Sequence, residues 1–181
     1  MLSKFRKFVG FKVLEFFLKN PSTEIHIRKL SRELEISPGS AKTYCNLLKK
    51  ENILNEKKQA NLKLFQLNNE NYLSKEYKKT YCLAYFKEQG IEKIIKNEVS
   101  LAIYGSYASG EFDEKSDLDI LVIGENKDIN DKKLIALKNK IDKEIQLTVI
   151  PYYKWATMKK KAEPFSKTVL KNHILIKGME L

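Results

Sequence analysis

Apolar residues recur at helical spacing through the first third of the chain and predict three short helices. The first covers about residues 5–19 and ends before Pro21, because proline disfavours helical backbone in the residue that precedes it. The second covers about 25–34. The third begins with the Ser37 hydroxyl as a helix cap and Pro38 in the first turn, and it runs to about residue 51.

A basic hairpin follows these helices. Residues 53–57 and 62–67 predict two strands around a polar turn, which completes the outline of a winged helix-turn-helix. Residues 8–67 resemble the winged-helix domains of archaeal and bacterial transcription regulators, most clearly in the runs 27–37 and 47–54. The resemblance implies a DNA-binding module, although winged helices also serve in dimerisation and protein docking, since a fold does not fix a function.

The third helix has one apolar face and one polar, basic face. Ala41, Tyr44, Cys45 and Leu48 share a side at helical spacing, which turns the lysines of the helix outward. Small, hydrogen-bonding residues near its N-terminus suit entry into a major groove, and the hairpin lysines suit contact with phosphates. The residues that we predict to contact DNA are Ser40, Lys42, Thr43, Asn46, Lys50, Lys57 and Lys58.

The net charge of +11 lies almost entirely in the first half of the chain. Residues 1–97 carry 20 lysines and arginines and 10 aspartates and glutamates, a net +10, whereas residues 98–181 carry 14 and 13, a net +1. This asymmetry favours two modules, the first of which faces a polyanion such as nucleic acid. A lysine-rich, solvated surface of the kind found in heat-adapted proteins is the alternative explanation.

Residues 69–97 predict a connecting helix that is interrupted near Gly90. Its aromatic residues could stack on bases, but at helical spacing we interpret them as packing against a neighbouring domain or the second chain of a homodimer. Cys45 and Cys82 lack metal-ligand spacing and favour buried thiols in a reducing cytoplasm. We expect no membrane segment, because no run approaches about 20 unbroken apolar residues.

The residues that indicate chemistry lie between 101 and 123. An apolar strand ends in Gly105-Ser106 at the start of a short helix, a turn that exposes main-chain N–H groups and lets a phosphate approach closely. Asp117 and Asp119 alternate at the start of a second apolar strand, so both carboxylates project from one face. Each feature is common by itself, but together they offer Mg²⁺ the carboxylates and substrate phosphates that it prefers.

This arrangement resembles the nucleotidyltransferase superfamily that includes DNA polymerase β, and more narrowly the minimal nucleotidyltransferases of archaea and bacteria. The resemblance covers about residues 91–178. The residues that carry it are Gly105, Ser106, Gly110, Ser116, Asp117 and Asp119. It implies a nucleoside triphosphate substrate with Mg²⁺, and an acceptor hydroxyl that attacks the α-phosphate and releases pyrophosphate. It further implies that Asp117 and Asp119 are catalytic metal ligands and that Gly105, Ser106 and Ser116 bind the nucleotide.

The chain departs from that family's pattern at the third carboxylate. The strand predicted over 144–150 puts Gln146 in its place, and a neutral amide is a poorer metal ligand. Glu144 is one strand period upstream on the same face, and we predict that it substitutes in part as a catalytic residue. Tyr107, Ala108 and Ser109 stand where the family often has arginines, which removes a possible charge contact to the triphosphate. Because the third carboxylate is lost, we expect the domain to bind nucleotide yet to turn over slowly or not at all.

We therefore predict an α+β protein with a winged helix-turn-helix domain over 1–68, a connecting helix over 69–97 and, over 98–181, a nucleotidyltransferase-type α/β domain with a mixed sheet. The predicted activity is Mg²⁺-dependent transfer of AMP from ATP to an acceptor hydroxyl. Related minimal nucleotidyltransferases act as antitoxins on a small helical partner of the HEPN type, which the resemblance makes a candidate acceptor. The alternative is a DNA-binding transcriptional regulator with a weakened, nucleotide-sensing second domain.

Overall fold

The chain folds into two compact units, residues 1–84 and 85–181. The computed structural model describes residues 2–97 and 99–181. The division between the units falls inside the segment predicted as a connecting helix, and the predicted boundary at Glu98 lies outside the described residues. Helices and sheets are mixed in both units, which confirms the α+β class. In the described part of the chain, no helix combines the length and apolar character needed to cross a membrane.

The first unit packs short helices against a three-stranded antiparallel sheet. Strand β3 lies at its centre, between β1 and β2. The elements are α1 (Leu2–Phe5), α2 (Val9–Lys19), β1 (Ile25–His26), α3 (Ile27–Glu33), α4 (Pro38–Lys50), β2 (Leu54–Gln59), β3 (Leu62–Leu67) and α5 (Tyr72–Gln89), whose last turns belong to the second unit.

The first two helices differ from their predicted bounds. The segment 5–19 is interrupted before α2, because Phe8 has extended backbone with φ −89° and ψ 121°. Ile25 and His26 form β1 opposite β3 and do not begin the second helix. The His26 Nδ1 atom accepts a hydrogen bond of 3.3 Å from the main-chain N–H of Lys29 and so caps α3. A strand pairing and a side-chain cap, neither visible in apolar spacing, decide where α3 begins.

A buried carboxylate ties the start of the first unit to α5. Glu15 is 6% exposed. Its carboxylate accepts hydrogen bonds from the Arg6 guanidinium at 2.7 Å and the Tyr81 hydroxyl at 3.0 Å, and Lys19 Nζ lies 3.3 Å away. Burial opposes its ionisation, but these neighbours hold the pKa of Glu15 below its ordinary value.

The second unit is built on a four-stranded mixed sheet with the order β6-β5-β4-β7. Strands β5 and β6 are parallel, whereas β4 is antiparallel to both β5 and β7. After a 3₁₀ turn over Ile91–Ile94, the elements are β4 (Ser100–Ile103), α6 (Gly105–Ser109), β5 (Leu118–Ile123), a second 3₁₀ turn (Asn126–Asp128), α7 (Asp131–Ile141), β6 (Ile145–Ile150), α8 (Tyr152–Lys160), α9 (Pro164–Lys171) and β7 (Ile174–Lys177).

One face of this sheet is buried against α8 and α9. The apolar cluster there includes Leu121 and Ile123 from β5 and the fully buried Trp155 from α8. Side chains alternate along a strand, so Asp119 lies on the same face as Leu121 and Ile123. The fold therefore places this carboxylate at the half-buried end of an otherwise apolar face.

Glu15→Gln should destabilise the first unit by about 2 kcal/mol at pH 7, because it leaves Arg6 and Lys19 facing a neutral side chain. The Glu15 pKa is lowered in the folded state, so this stabilisation is present above the unfolded pKa and is lost as the pH falls through the folded pKa. Urea unfolding of both proteins from pH 7 to pH 3 should show the difference shrinking. Glu33→Gln, which alters the exposed Lys29–Glu33 pair, should change stability by less than about 0.5 kcal/mol. Equal losses of stability in the two variants would contradict the stabilising role of the Glu15 carboxylate.

Candidate active site

A glycine turn joins β4 to the short helix α6. Gly105 has φ +69°, a left-handed backbone that glycine adopts without strain. The Tyr104 side chain, at the N-cap position, makes no cap hydrogen bond to the start of α6. The Ser106 carbonyl oxygen accepts the main-chain N–H of Glu111 at 2.9 Å, which closes the loop behind the helix.

Asp119 lies directly against this turn. A Cβ atom added to Gly105 would meet Asp119 Oδ2 at 2.2 Å, closer than real contacts allow. The main-chain N–H of Tyr104 donates to the Asp119 carbonyl oxygen at 3.1 Å. The sequence predicted that the glycine turn and the aspartate would share a site, and the structure brings the two together.

Gln146 completes the arrangement from the neighbouring strand. In the parallel pairing of β5 with β6, Gln146 is the register partner of Asp119. Its amide Nε2 donates to Asp117 Oδ2 at 2.9 Å. The position that the sequence assigned to a third metal-binding side chain therefore lies beside both aspartates, and an amide occupies it.

The surroundings of Asp119 disfavour the charge of its carboxylate. Asp119 is half-buried. Burial, and next the nearby Asp117 carboxylate, raise the pKa of Asp119 above its ordinary value. A cation between the two carboxylates would offset both effects, so the electrostatics of the site favour a bound cation.

The Glu144 carboxylate, predicted as a substitute ligand, pairs with a side chain of another element. Glu144 precedes β6, and its carbonyl oxygen accepts the main-chain N–H of Leu118 at 2.9 Å. Its Oε2 pairs with Lys138 Nζ of α7 at 2.5 Å. A role for Glu144 as a ligand would require this exposed ion pair to open.

Ser116, predicted to bind nucleotide, takes part in the turn before β5. Its hydroxyl donates to Asp113 Oδ1 at 3.0 Å and accepts the Asp113 main-chain N–H at 2.9 Å. The main-chain N–H of Lys115 and the Ser116 hydroxyl hold the pKa of Asp113 below its ordinary value. Ser116 thus shapes the loop that delivers Asp117 to the site.

Sequence analysis missed a hydroxyl pair formed by the residue before the glycine turn and a residue of β6. The hydroxyl groups of Tyr104 and Thr148 are 3.0 Å apart, and the Tyr104 ring packs edge-on against Phe165 with centroids 5.6 Å apart. The pattern held a clue, because Tyr104 precedes Gly105 and Thr148 is one strand period beyond Gln146. These side chains join the site to the apolar core.

The residues predicted to contact DNA lie on α4 and on the β2–β3 hairpin of the first unit. Lys42, Asn46 and Lys50 are exposed along α4. The exposed Lys57 pairs with Glu24 at 3.1 Å, and Lys58 is exposed on the same strand. The remaining two, Ser40 and Thr43, hydrogen-bond within the first turns of α4, to Ser37 Oγ and to the Gly39 carbonyl oxygen.

Gly105→Ala should lower the free energy of unfolding by about 2 kcal/mol, because the methyl group meets both a left-handed φ and the Asp119 carboxylate. Gly90→Ala is the matched control, with φ +88° but a nearest neighbour at 3.5 Å, and should cost about 1 kcal/mol. Adding Asp119→Ala should remove the excess in the Gly105 variant and leave the control unchanged in chemical denaturation. An excess that survives Asp119→Ala would contradict the contact.

Comparison with known proteins identifies the second unit. The family model of the nucleotidyltransferase domain matches residues 84–176. Among solved structures, one described as a possible transcriptional regulator from Methanosarcina mazei Go1 is 17% identical, with a TM-score of 0.35 over 46% of this chain and 73% of that chain. No curated protein matches the chain. Since the family model spans more than half of the 181 residues and contains the whole site around Gly105, this chain belongs to the nucleotidyltransferase domain family.

Proposed function

We propose that the second unit transfers a nucleoside monophosphate from a nucleoside triphosphate to an acceptor hydroxyl, with a divalent cation. The observation that carries the proposal is the packing of the Asp119 carboxylate against the glycine turn at Gly105. This contact puts a cation ligand beside main-chain N–H groups that suit a phosphate. Membership of the nucleotidyltransferase domain family supports the same reaction class.

The residues present fit a divalent cation. Asp117 and Asp119 supply hard oxygen ligands from one face, and Mg²⁺ commonly takes one or two carboxylates together with substrate phosphates. These two aspartates would hold the ion. When bound, it would neutralise charge on the triphosphate and polarise the phosphoryl group.

Other residues of the site position the nucleotide. In this proposal, the main chain of Gly105 and Ser106 receives the β- and γ-phosphates, and Gly105 permits the approach because it has no side chain. Ser116 fixes the loop that carries Asp117. The acceptor oxygen bonds to the α-phosphorus while the bond to the leaving pyrophosphate breaks, so in-line positioning is the main contribution of the protein.

The specific form of the proposal is adenylate transfer from ATP to a protein hydroxyl. The base and the acceptor, a small helical partner of the HEPN type as for antitoxins, rest on the resemblance to minimal nucleotidyltransferases. Gln146 in the third ligand position supports a slow reaction.

The test is Mg²⁺-dependent labelling of an acceptor from α-³²P-ATP. We expect label to reach the acceptor protein, to be absent with γ-³²P-ATP, and to fall at least about 100-fold in Asp117→Asn and Asp119→Asn, because the charge that neutralises the triphosphate is lost. Asp131→Asn, which removes an exposed carboxylate of α7, is the control and should label normally. Labelling that persists in both site variants would refute the proposal.

We propose a second function, DNA binding, for the first unit. The order of α2, α3, α4 and the β2–β3 hairpin, with β1 beside β3, supports a winged helix-turn-helix. The exposed polar and basic side chains of α4 and the net charge of +10 in residues 1–97 support contact with phosphates. Combined with Gln146, this supports the alternative of a transcriptional regulator whose second unit senses nucleotide.

Lys42→Glu with Lys50→Glu should weaken binding to duplex DNA at least about 10-fold and reduce its salt dependence, because two phosphate contacts are lost. Lys4→Glu with Lys7→Glu makes the same change of net charge at exposed residues around α1 and should have a smaller effect. Fluorescence anisotropy at several salt concentrations measures both. Equal losses would indicate attraction by net charge alone.

Repeating the titration with ATP and Mg²⁺ tests the regulator alternative. If nucleotide changes DNA affinity, DNA must change nucleotide affinity by the same factor. Equal DNA affinities with and without nucleotide would remove the sensing role.

A further inference from the structure

We infer that Gln146 limits the site to one divalent cation per bound nucleotide, held by Asp117 and Asp119. The inference rests on the proposed function, since it assumes that the site binds a nucleoside triphosphate. It concerns how many cations accompany that nucleotide and which side chain sets the number.

The Gln146 amide lies beside the two aspartates. Gln146 is the register partner of Asp119, and its Nε2 donates to Asp117 Oδ2 at 2.9 Å. The amide N–H therefore takes up one carboxylate oxygen of the pair, on the side that faces β6. A cation could use this oxygen only by displacing the amide, and the group that it would then meet is neutral.

The Asp113 and Glu144 carboxylates, which could serve as further ligands, already have partners. Asp113 accepts hydrogen bonds from the Lys115 main chain and from Ser116 within its own turn. Glu144 is paired with Lys138 of α7. Over residues 2–97 and 99–181, no group of three or more histidine, cysteine, aspartate or glutamate side chains is placed to hold a metal ion.

The negative charge of the two aspartates limits how many cations the site can hold. In two-metal sites the ions lie about 3.5–4 Å apart, where their mutual repulsion must be offset by anionic ligands between and around them. Asp117 and Asp119 together carry two negative charges, which balance one divalent ion. With an amide in the neighbouring position, a second ion would have to rely on the nucleotide and water, so its affinity should be low.

One cation suffices to bind a triphosphate and to offset part of its charge, whereas activation of the acceptor hydroxyl by a second ion is lost. With Gln146 at this position, the site therefore binds nucleotide but transfers the nucleoside monophosphate slowly. Restoring a carboxylate at this position should add the missing charge without altering the glycine turn.

The test is a Mn²⁺ titration of the full chain in the presence of α,β-methylene-ATP, which resists transfer. Equilibrium dialysis counts bound Mn²⁺, and electron paramagnetic resonance detects coupling between two neighbouring ions. We expect one Mn²⁺ per nucleotide in the wild type. In Gln146→Glu, which keeps the shape of the side chain, we expect two coupled ions and a second dissociation constant at least about 10-fold lower than in the wild type.

Gln59→Glu is the matched control, since it makes the same chemical change at an exposed position of the hairpin and should leave one Mn²⁺ per nucleotide. Two tightly bound ions in the wild type, or an unchanged count in Gln146→Glu, would overturn the inference and leave the proposed function standing. Absence of nucleotide-dependent Mn²⁺ binding in the wild type would overturn both. Melting temperatures with and without Mn²⁺ check that Gln146→Glu is folded, and its melting temperature should gain more from the ion than that of the wild type.

Discussion

The Asp119 carboxylate packs against Gly105, where an added Cβ atom would lie 2.2 Å from Asp119 Oδ2. This contact exists because β4 and β5 are antiparallel, so that the end of one strand lies beside the start of the other. A side chain at position 105 would occupy the space of the carboxylate. The Asp119 carboxylate and the main-chain turn are therefore parts of one packing contact, and the geometry of the site depends on it.

This contact has an electrostatic cost that the fold does not remove. Asp119 is half-buried near a second carboxylate, and both factors raise its pKa. Gln146 offsets part of the problem by donating a hydrogen bond to Asp117, but it adds no positive charge. An amide is thus compatible with the protein both without a cation and with one, whereas a third carboxylate would be stable mainly with ions bound. In the proposed function, this is the physical basis for slow transfer.

In the first unit, by contrast, two carboxylates lie next to positively charged side chains. Lys49 and Lys63 both pair with Glu56, and their hydrogen bonds hold the pKa of Glu56 at about 2. Glu15, although buried, is surrounded by Arg6, Lys19 and Tyr81. Glu15 and Glu56 are thus neutralised within the unit, whereas lysines such as Lys42 and Lys50 are exposed. The proposal of DNA binding rests on this distribution of charge.

Local pattern was sufficient for much of this protein. It predicted α4 and the hairpin nearly to the residue, because a serine cap, a first-turn proline and strand alternation are short-range features. It also predicted the mixed sheet of the second unit and the meeting of Gly105 with the aspartates, where the order of strand, turn and strand leaves little freedom.

Tertiary structure decided the features that depend on partners distant in sequence. Ile25 and His26 are a strand because β3, about 40 residues later, offers a pairing partner. Glu144 and Gln146 have the same alternation in the sequence, yet one pairs with Lys138 and the other with Asp117, because only the strand register and the position of α7 determine which partner lies within reach. Sequence alone determined which groups could form the site; the register of β5 with β6 determined which of them do.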